Sequence, residues 1–338
     1  LIQQTGQDGQ WLIELLSREQ TTSSLRELAE VKVLEQVWQQ QVELVEGLLT
    51  FRTKLNLPAS EIIETPHDPK VHYSRKRESS WKGYKVHITE TVQSDQPHLI
   101  TDVTTTSATT TDGEALSIIQ DQLNNREVLP AVQLADMGYV NGENLEASRL
   151  KAIRLVGPIR ADTSLQARLE DGISLEHFEL DYTEQVAQCP GGSQSSTWSK
   201  SHERNQKVIE IKFAGEQCQG CDLYSPCVMG DKSNPAKPPG RILKLRHYHQ
   251  EVAARRIEQQ QPEFKKIYRG RAGVEASLSE MVRGHGLRFA RYIGLAKESL
   301  RNLFIGAGTN LKRAARWLAG LRPKPVRKPG LASLSLAQ

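Results

Sequence analysis

The chain is 338 residues long, a quarter of them charged, with a net charge of +4 and four cysteines. That length can bury a sizeable core as one large domain with insertions, or as two domains. No apolar run is long enough to span a bilayer, no signal-peptide pattern is visible, and four cysteines in so long a chain do not make a secreted disulfide framework, so the chain reads as cytoplasmic. The modest net charge allows a nucleic-acid partner without requiring one, which leaves the distribution of charge to decide.

Residues 1–57 are Gln- and Glu-rich and helical in pattern. Trp11, Leu12, Leu15 and Leu16 form one stripe. A second runs through Leu25, Leu28, Leu34, Val37, Trp38, Val42 and Val45, with Thr22-Ser23-Ser24 as the N-cap before it. The pattern predicts a helical bundle without chemistry of its own. Pro58, Pro66 and Pro69 then break helices and mark a boundary. Beyond it, Lys70, His72, Arg75, Lys76, Arg77, Lys82 and Lys85 are interleaved with Tyr73, Trp81 and Tyr84. Basic and aromatic residues mixed in this way suit a track for a DNA backbone, with a solvated loop as the plain alternative.

Lys82 to Thr91 and His98 to Ser107 alternate polar with apolar and β-branched residues, which predicts an antiparallel strand pair turning at Gln93 to Pro97. Thr111-Asp112-Gly113-Glu114 has the form of a capping box opening a helix to about Asn125. Val132 to Asp136 is a short apolar strand ending on an acid; a helix at Asn141 to Leu150 and a strand at Ile153 to Pro158 follow. This order is α/β with a mixed sheet. A carboxylate at the C-terminal end of a buried strand, as at Asp136, stands where open α/β sheets place their ligands. The plain alternative is an Asp that begins a turn, with Gly138 supplying a positive φ.

Residues 161–240 lose this rhythm and hold all four cysteines. Cys218-x2-Cys221 has knuckle spacing, and Cys189 and Cys227 complete an irregular four-cysteine set for structural Zn²⁺, with reduced buried cysteines as the alternative. From Arg241 to Arg256 the chain is basic. Pro262 opens, and Gly284 and Gly286 close, what reads as one helix. At about 100° per residue, Tyr268, Arg271, Glu275 and Val282 fall within roughly 60° of each other on that helix. An aromatic ring, a guanidinium and a carboxylate on one face suit a phosphodiester beside a metal ion; an amphipathic helix with an i,i+4 ion pair is the plain alternative. Leu295 to Leu321 predicts a long amphipathic helix, and residues 322–338 a disordered tail.

The spacing Tyr268-x2-Arg271-x3-Glu275 resembles the Y-R-E-K signature of bacterial insertion-sequence transposases of the DDE class, with Val282 in place of the Lys and Arg283 one position later. Asp136-x-Gly138-Tyr139 is similar to the segment holding the second catalytic Asp of that class. The stretch from Asp68 to His87 resembles the entry to the second core strand in one branch of it. The resemblance implies a ribonuclease-H-like mixed sheet whose first strand is missing, built from residues 58–160 and 241–321, with 161–240 as an insertion. It implies metal-dependent cleavage and strand transfer at insertion-sequence ends. Asp136 and Glu275 would be catalytic, binding Mg²⁺ or Mn²⁺, with Asp68 as fallback for a third acid. Tyr268, Arg271, Arg283, Arg75, Lys76, Arg77 and Lys82 would contact double-stranded DNA, and a homodimer is the expected assembly. The chain opens on Leu1 in mid-pattern, and nothing before residue 60 reads as the strand that carries the first Asp of the family. A fragment lacking that acid is therefore expected. Two other classes stay open: a ribonuclease-H-like nuclease without strand transfer, and an inactive DNA-binding relic.

Overall fold

A computed structural model describes residues 2–18, 23–45, 48–76, 78–93, 95–203, 206–229, 234 and 237–321. In chain order, the first stretch gives helices α1 (Ile2–Ser17), α2 (Ser23–Arg26) and α3 (Ala29–Gln41), strands β1 (Val42–Val45) and β2 (Leu48–Phe51), strands β3 (His72–Lys76), β4 (Ser79–Glu90) and β5 (Ile100–Ser107), and helix α4 (Asp112–Asn125). The next gives β6 (Val132–Leu134), α5 (Gly142–Leu150), β7 (Arg154–Val156), α6 (Leu165–Arg168), β8 (Glu179–Asp181) and β9 (Val186–Gln188). Then come β10 (Thr197–Glu203), β11 (Gln206–Lys212), α7 (Gly215–Gln219), α8 (Tyr224–Cys227), β12 (Ile242–Arg246), α9 (His249–Glu258) and α10 (Pro262–Tyr268). The last helices are α11 (Gly273–His285) and α12 (Leu295–Leu318). Two compact units result: Leu1–Val128 with Arg271–Gln338, and Leu129–Gly270. Among the described residues no helix is long and apolar enough to cross a membrane. The tail at 322–338, and Thr22 of the expected N-cap, lie outside the described residues.

In the first unit, β3, β4 and β5 form an antiparallel sheet in that order. The expected capping box is present in full: Thr111 Oγ1 accepts from the Glu114 amide at 3.2 Å, and the Glu114 carboxylate accepts from the Thr111 amide at 2.6 Å. Helix α4 consequently starts where the sequence places it, burying Ala115, Leu116, Ile119 and Leu123. Helix α12 lies close over β5 because it presents Gly306 there; a Cβ on that glycine would stand 2.8 Å from Val103 Cγ2. Met281 of α11, Ile100, Val103 and Leu287 make a buried cluster beneath these helices. The expected second helical stripe ends early. Val42 and Val45 belong to β1, which pairs antiparallel with β2, Val42 opposite Phe51. Val-x-x-Val fits a helical period, but Val42-Glu-Leu-Val and Leu48-Leu-Thr-Phe are also strand-forming runs separated by a short turn, and the hairpin wins.

In the second unit, β6 and β7 pair in parallel, Gln133 opposite Leu155. A Cβ on Gly157 would meet the Ala135 carbonyl at 2.3 Å, so glycine is required where the two strand ends close on each other. Arg255 of α9 is buried here, donating to the carbonyls of Leu155 at 2.7 Å and Gly157 at 3.0 Å. Its guanidinium also lies over the Phe264 ring. The rest of the unit is the antiparallel sheet β10-β11-β12 and the hairpin β8-β9, around Phe178, Ala187, Ile211, Phe213, Leu243 and Leu245. The chain is thus mixed α/β, but in several small sheets. The single mixed sheet expected from the strand order is not formed among the described residues, since β6 and β7, three residues each, pair with one another in a sheet separate from β3-β4-β5.

Candidate functional site

Glu275 stands in the first turn of α11, where the helix N-terminus favours a carboxylate. Its side chain is 73% exposed and accepts from Arg271 Nη1 at 3.2 Å. The opposite side of α11 is pinned. Ser277, two residues along, is buried and donates to the Glu90 carboxylate of β4. Arg313 of α12 donates to Glu90 at 3.2 Å, to the His98 carbonyl at 2.6 Å, to Ser277 Oγ at 2.7 Å and to Glu280 at 3.0 Å. This polar clamp and buried Met281 fix the rotation of α11, and so hold Glu275 toward solvent. Val282, expected on the same face, is instead half-buried against the Met281 cluster. Arg283 is exposed in the last turn, which Gly286 closes at φ 65°.

One uninterrupted helix through the signature is not what forms. Helix α10 ends at Tyr268, a 3-10 turn spans Arg269–Ala272, and α11 begins at Gly273. Gly270 and Gly273 weaken the helix there, and a uniform 100° step no longer applies across the turn. Tyr268 therefore leaves the face expected for it: its ring stacks on Phe264 with centroids 6.0 Å apart, and the boundary between the units falls between Tyr268 and Arg271.

Asp136 follows β6 directly and caps the 3-10 turn Met137–Tyr139, its carboxylate accepting from the Met137 amide at 2.9 Å. It is half-buried, at the C-terminal end of a parallel strand as expected. Asp68 sits in a different setting. It is buried, and one carboxylate oxygen accepts from Tyr84 Oη and from the Gly294 amide, each at 2.8 Å. Burial, reinforced by the bond to Asp68, pushes the Tyr84 hydroxyl well above its ordinary pKa. Asp68 ties the approach to α12 onto β4, a structural task that explains an acid at this position without a metal.

Three further buried acids escaped the sequence reading. Glu90 is one of them. Asp102 of β5 pairs with Arg126 and accepts from Thr104 Oγ1 at 2.5 Å. Glu298 accepts from the amides of Arg291 at 3.0 Å and Tyr292 at 3.3 Å and from Arg301. The available signals were an i,i+3 Glu–Arg pair for Glu298 and an acid in a β-branched strand for Asp102.

On the β3-β4 ribbon, Tyr73 is opposite Lys82 and Arg75 opposite Ser80. Tyr73, Arg75 and Lys82 are exposed and share one face, since residues two apart in a strand point the same way. Lys76 is exposed as well; Arg77 lies outside the described residues. Lys82 pairs with Glu64 at 2.8 Å, and Lys85 leaves the track to donate to the Thr110 carbonyl at 2.6 Å. The second basic run is less available than its sequence suggests, because Arg255 is buried and Arg241 donates to the carbonyls of Cys227 at 2.7 Å and Ile173 at 3.0 Å.

The four cysteines are reduced and line one small cavity together with Arg241. Burial pushes the Cys227 thiol up and the Arg241 guanidinium down, each opposed by the presence of the other. Among the described residues, no group of three or more His, Cys, Asp or Glu side chains is already set to hold a metal ion.

Residues 188–315 match the family described as Transposase DDE domain. The matched stretch takes in the cysteine segment, Arg271, Glu275 and most of α12, while Asp136 and Asp68 precede it. No curated protein and no solved structure matches the chain. The matched stretch carries the exposed, Arg-paired glutamate, and the match supports a DDE-type transposase.

Proposed function

We propose that this chain is the DNA-processing part of an insertion-sequence transposase, acting by metal-dependent cleavage and strand transfer at the ends of its element. The observation that carries the reading is Glu275: exposed, paired with Arg271 at 3.2 Å, held outward by the Ser277–Glu90–Arg313 clamp, and inside the matched segment. Asp136 is the second acid, at the end of β6, where open α/β sheets place their ligands. Their carboxylates suit Mg²⁺ or Mn²⁺, which take oxygen ligands, with Asp68 as the fallback for a third acid. Such an ion, when bound, supplies activation of a hydroxyl nucleophile and stabilisation of the leaving oxygen. Two carboxylates hold Mg²⁺ weakly, so a further acid belongs to the complete site.

Arg271 would neutralise a phosphate oxygen, with Arg283, Tyr73, Arg75, Lys76 and Lys82 lending contacts to the backbone of double-stranded DNA. A transposase that joins two element ends works as a homodimer or larger assembly. A DNA-binding relic is the second reading, favoured by the lack of a three-acid group among the described residues.

Two measurements test the proposal. Titration of a labelled duplex at stepped salt concentrations should show affinity falling linearly in log–log form. This chain alone should bind the duplex without cleaving it in Mg²⁺ or Mn²⁺; excision of a reporter flanked by the DNA that borders the gene should require the further acid and be lost in Asp136→Asn and Glu275→Gln. Absence of salt-dependent DNA binding overturns the reading altogether. DNA binding with excision indifferent to both substitutions returns the chain to the relic.

A further inference from the structure

We propose that Cys189, Cys218, Cys221 and Cys227 form a structural Zn²⁺ site, with Arg241 as its charge-balancing neighbour. The inference does not depend on the transposase reading. It starts from placement: Cys189 follows β9, Cys218 lies in α7, Cys221 just after it, and Cys227 ends α8, yet all four line one cavity of about 20 Å³. That volume admits a single water-sized occupant.

The backbone around the sulfurs is shaped for close approach. A Cβ on Gly191 would stand 2.7 Å from Cys221 Sγ and 3.7 Å from Cys189 Sγ, so only glycine lets these two sulfurs share the space. After Cys189 the chain turns back through Gly192 at φ 85°, and the Ser193 amide donates to Cys189 Sγ at 3.3 Å. After Cys218 it makes a second tight turn, the Cys221 amide donating to the Cys218 carbonyl at 3.1 Å. An N–H aimed at a sulfur favours the thiolate over the thiol, the form a metal requires.

Charge decides between a metal site and a cluster of plain thiols. Arg241 lines the same cavity, and its Nε is buried with no hydrogen-bond partner, while both Nη atoms are spent on carbonyls. A guanidinium over the Phe178 ring with one buried N–H left unanswered is costly, and neither four neutral thiols nor two disulfides would supply the countercharge. Zinc would: Zn²⁺ and four thiols give a tetrathiolate centre of charge −2 and four protons released to solvent. That centre accepts N–H···S bonds and pairs with the guanidinium. As thiols the sulfurs are not yet gathered into a ligand set, so binding draws them inward to Zn–S bonds of about 2.3 Å as their protons leave. The site joins the β8-β9 hairpin to α7 and α8, against the apolar cluster of Phe178, Ile211 and Phe213.

The test is metal content and spectroscopy on the full chain, purified without chelator under reducing conditions. Elemental analysis should find about one zinc per chain, falling to near zero in Cys218→Ser. Exchange with Co²⁺ should give the thiolate-to-cobalt charge-transfer absorption of a tetrahedral sulfur site, and zinc should protect all four thiols from a thiol-reactive dye. A zinc-free protein whose thiols react equally with and without added Zn²⁺ overturns the proposal, as does zinc retained undiminished in Cys218→Ser. If that variant fails to fold, the cobalt spectrum of the unsubstituted chain decides: a tetrathiolate band supports the site and its absence ends it. None of these readings changes if DNA binding and excision fail.

Discussion

The clamp behind α11 and the cavity beside Arg241 are both built on a half-buried arginine, and they solve its charge in opposite ways. Arg313 meets two carboxylates, Glu90 and Glu280, plus a hydroxyl and a carbonyl. Arg241 meets two carbonyls and the Phe178 ring beside a cavity lined by four thiols, and its Nε–H has no partner. The first network is closed, with every charge answered by the chain itself. The second is open, and an outside ion is the natural way to close it. A buried ion pair adds little net stability, yet removing one partner strands the other. Closed and open networks should therefore fail differently when cut.

The largest effect falls on the closed network. Arg313→Ala strands Glu90, whose side chain is 4% exposed, and should cost about 3–5 kcal/mol in urea unfolding. The double change Arg313→Met with Glu90→Leu should recover most of that loss. A loss under about 1 kcal/mol for Arg313→Ala would show that the clamp is wetter than its geometry indicates. Next comes Asp68→Ala, which deprives the Tyr84 hydroxyl and the Gly294 amide of their acceptor and should cost about 2–3 kcal/mol. If stability held while DNA excision disappeared, Asp68 would be an ion ligand and the fallback assignment would stand.

Tyr84→Phe should cost about 1 kcal/mol and carries a pH signature. The folded-state pKa of Tyr84 is raised, first by burial and then by the bond to Asp68. Its contribution is therefore complete below the unfolded value of about 10 and is lost as pH rises beyond it. Unfolding midpoints measured from pH 8 to 11 should decline more steeply for the unsubstituted chain than for Tyr84→Phe, and parallel curves would contradict the burial of this hydroxyl.

The smallest stability effect belongs to Arg271→Ala. Its pair with the largely exposed Glu275 is worth about 0–1 kcal/mol. The same change should lower the salt slope of DNA binding by about one phosphate contact. An unchanged slope would return Arg271 to an ordinary helix-surface charge.

What could be read in the sequence was local. Thr111 and Glu114 are three residues apart, and their reciprocal bonds need no distant partner. Asn141 caps α5 by accepting from the Asn144 amide, and Gly286 ends α11 because it tolerates the left-handed turn there. The alternation in β4 and β5, and an acid at the end of β6, likewise follow from neighbours in sequence. What could not be read depended on distance. Gly294 lies 226 residues beyond Asp68, so the acid looked like an idle turn residue open to a metal. Arg241 and Arg255 read as part of a basic surface run because nothing nearby reveals that they point inward. The 3-10 turn at Arg269–Ala272 was hidden by an assumption of uniform helical pitch, which two glycines were enough to break.

Arg255 has a further consequence, for how the parallel sheet can grow. Along β7, the Arg154 amide and the Val156 carbonyl face β6, while the carbonyls of Leu155 and Gly157 face the other way. Those outward carbonyls are the acceptors a third strand would use, and the Arg255 guanidinium occupies both. One side chain thus stands in for an absent strand and seals that border against pairing with any extended segment, whether from this chain or another.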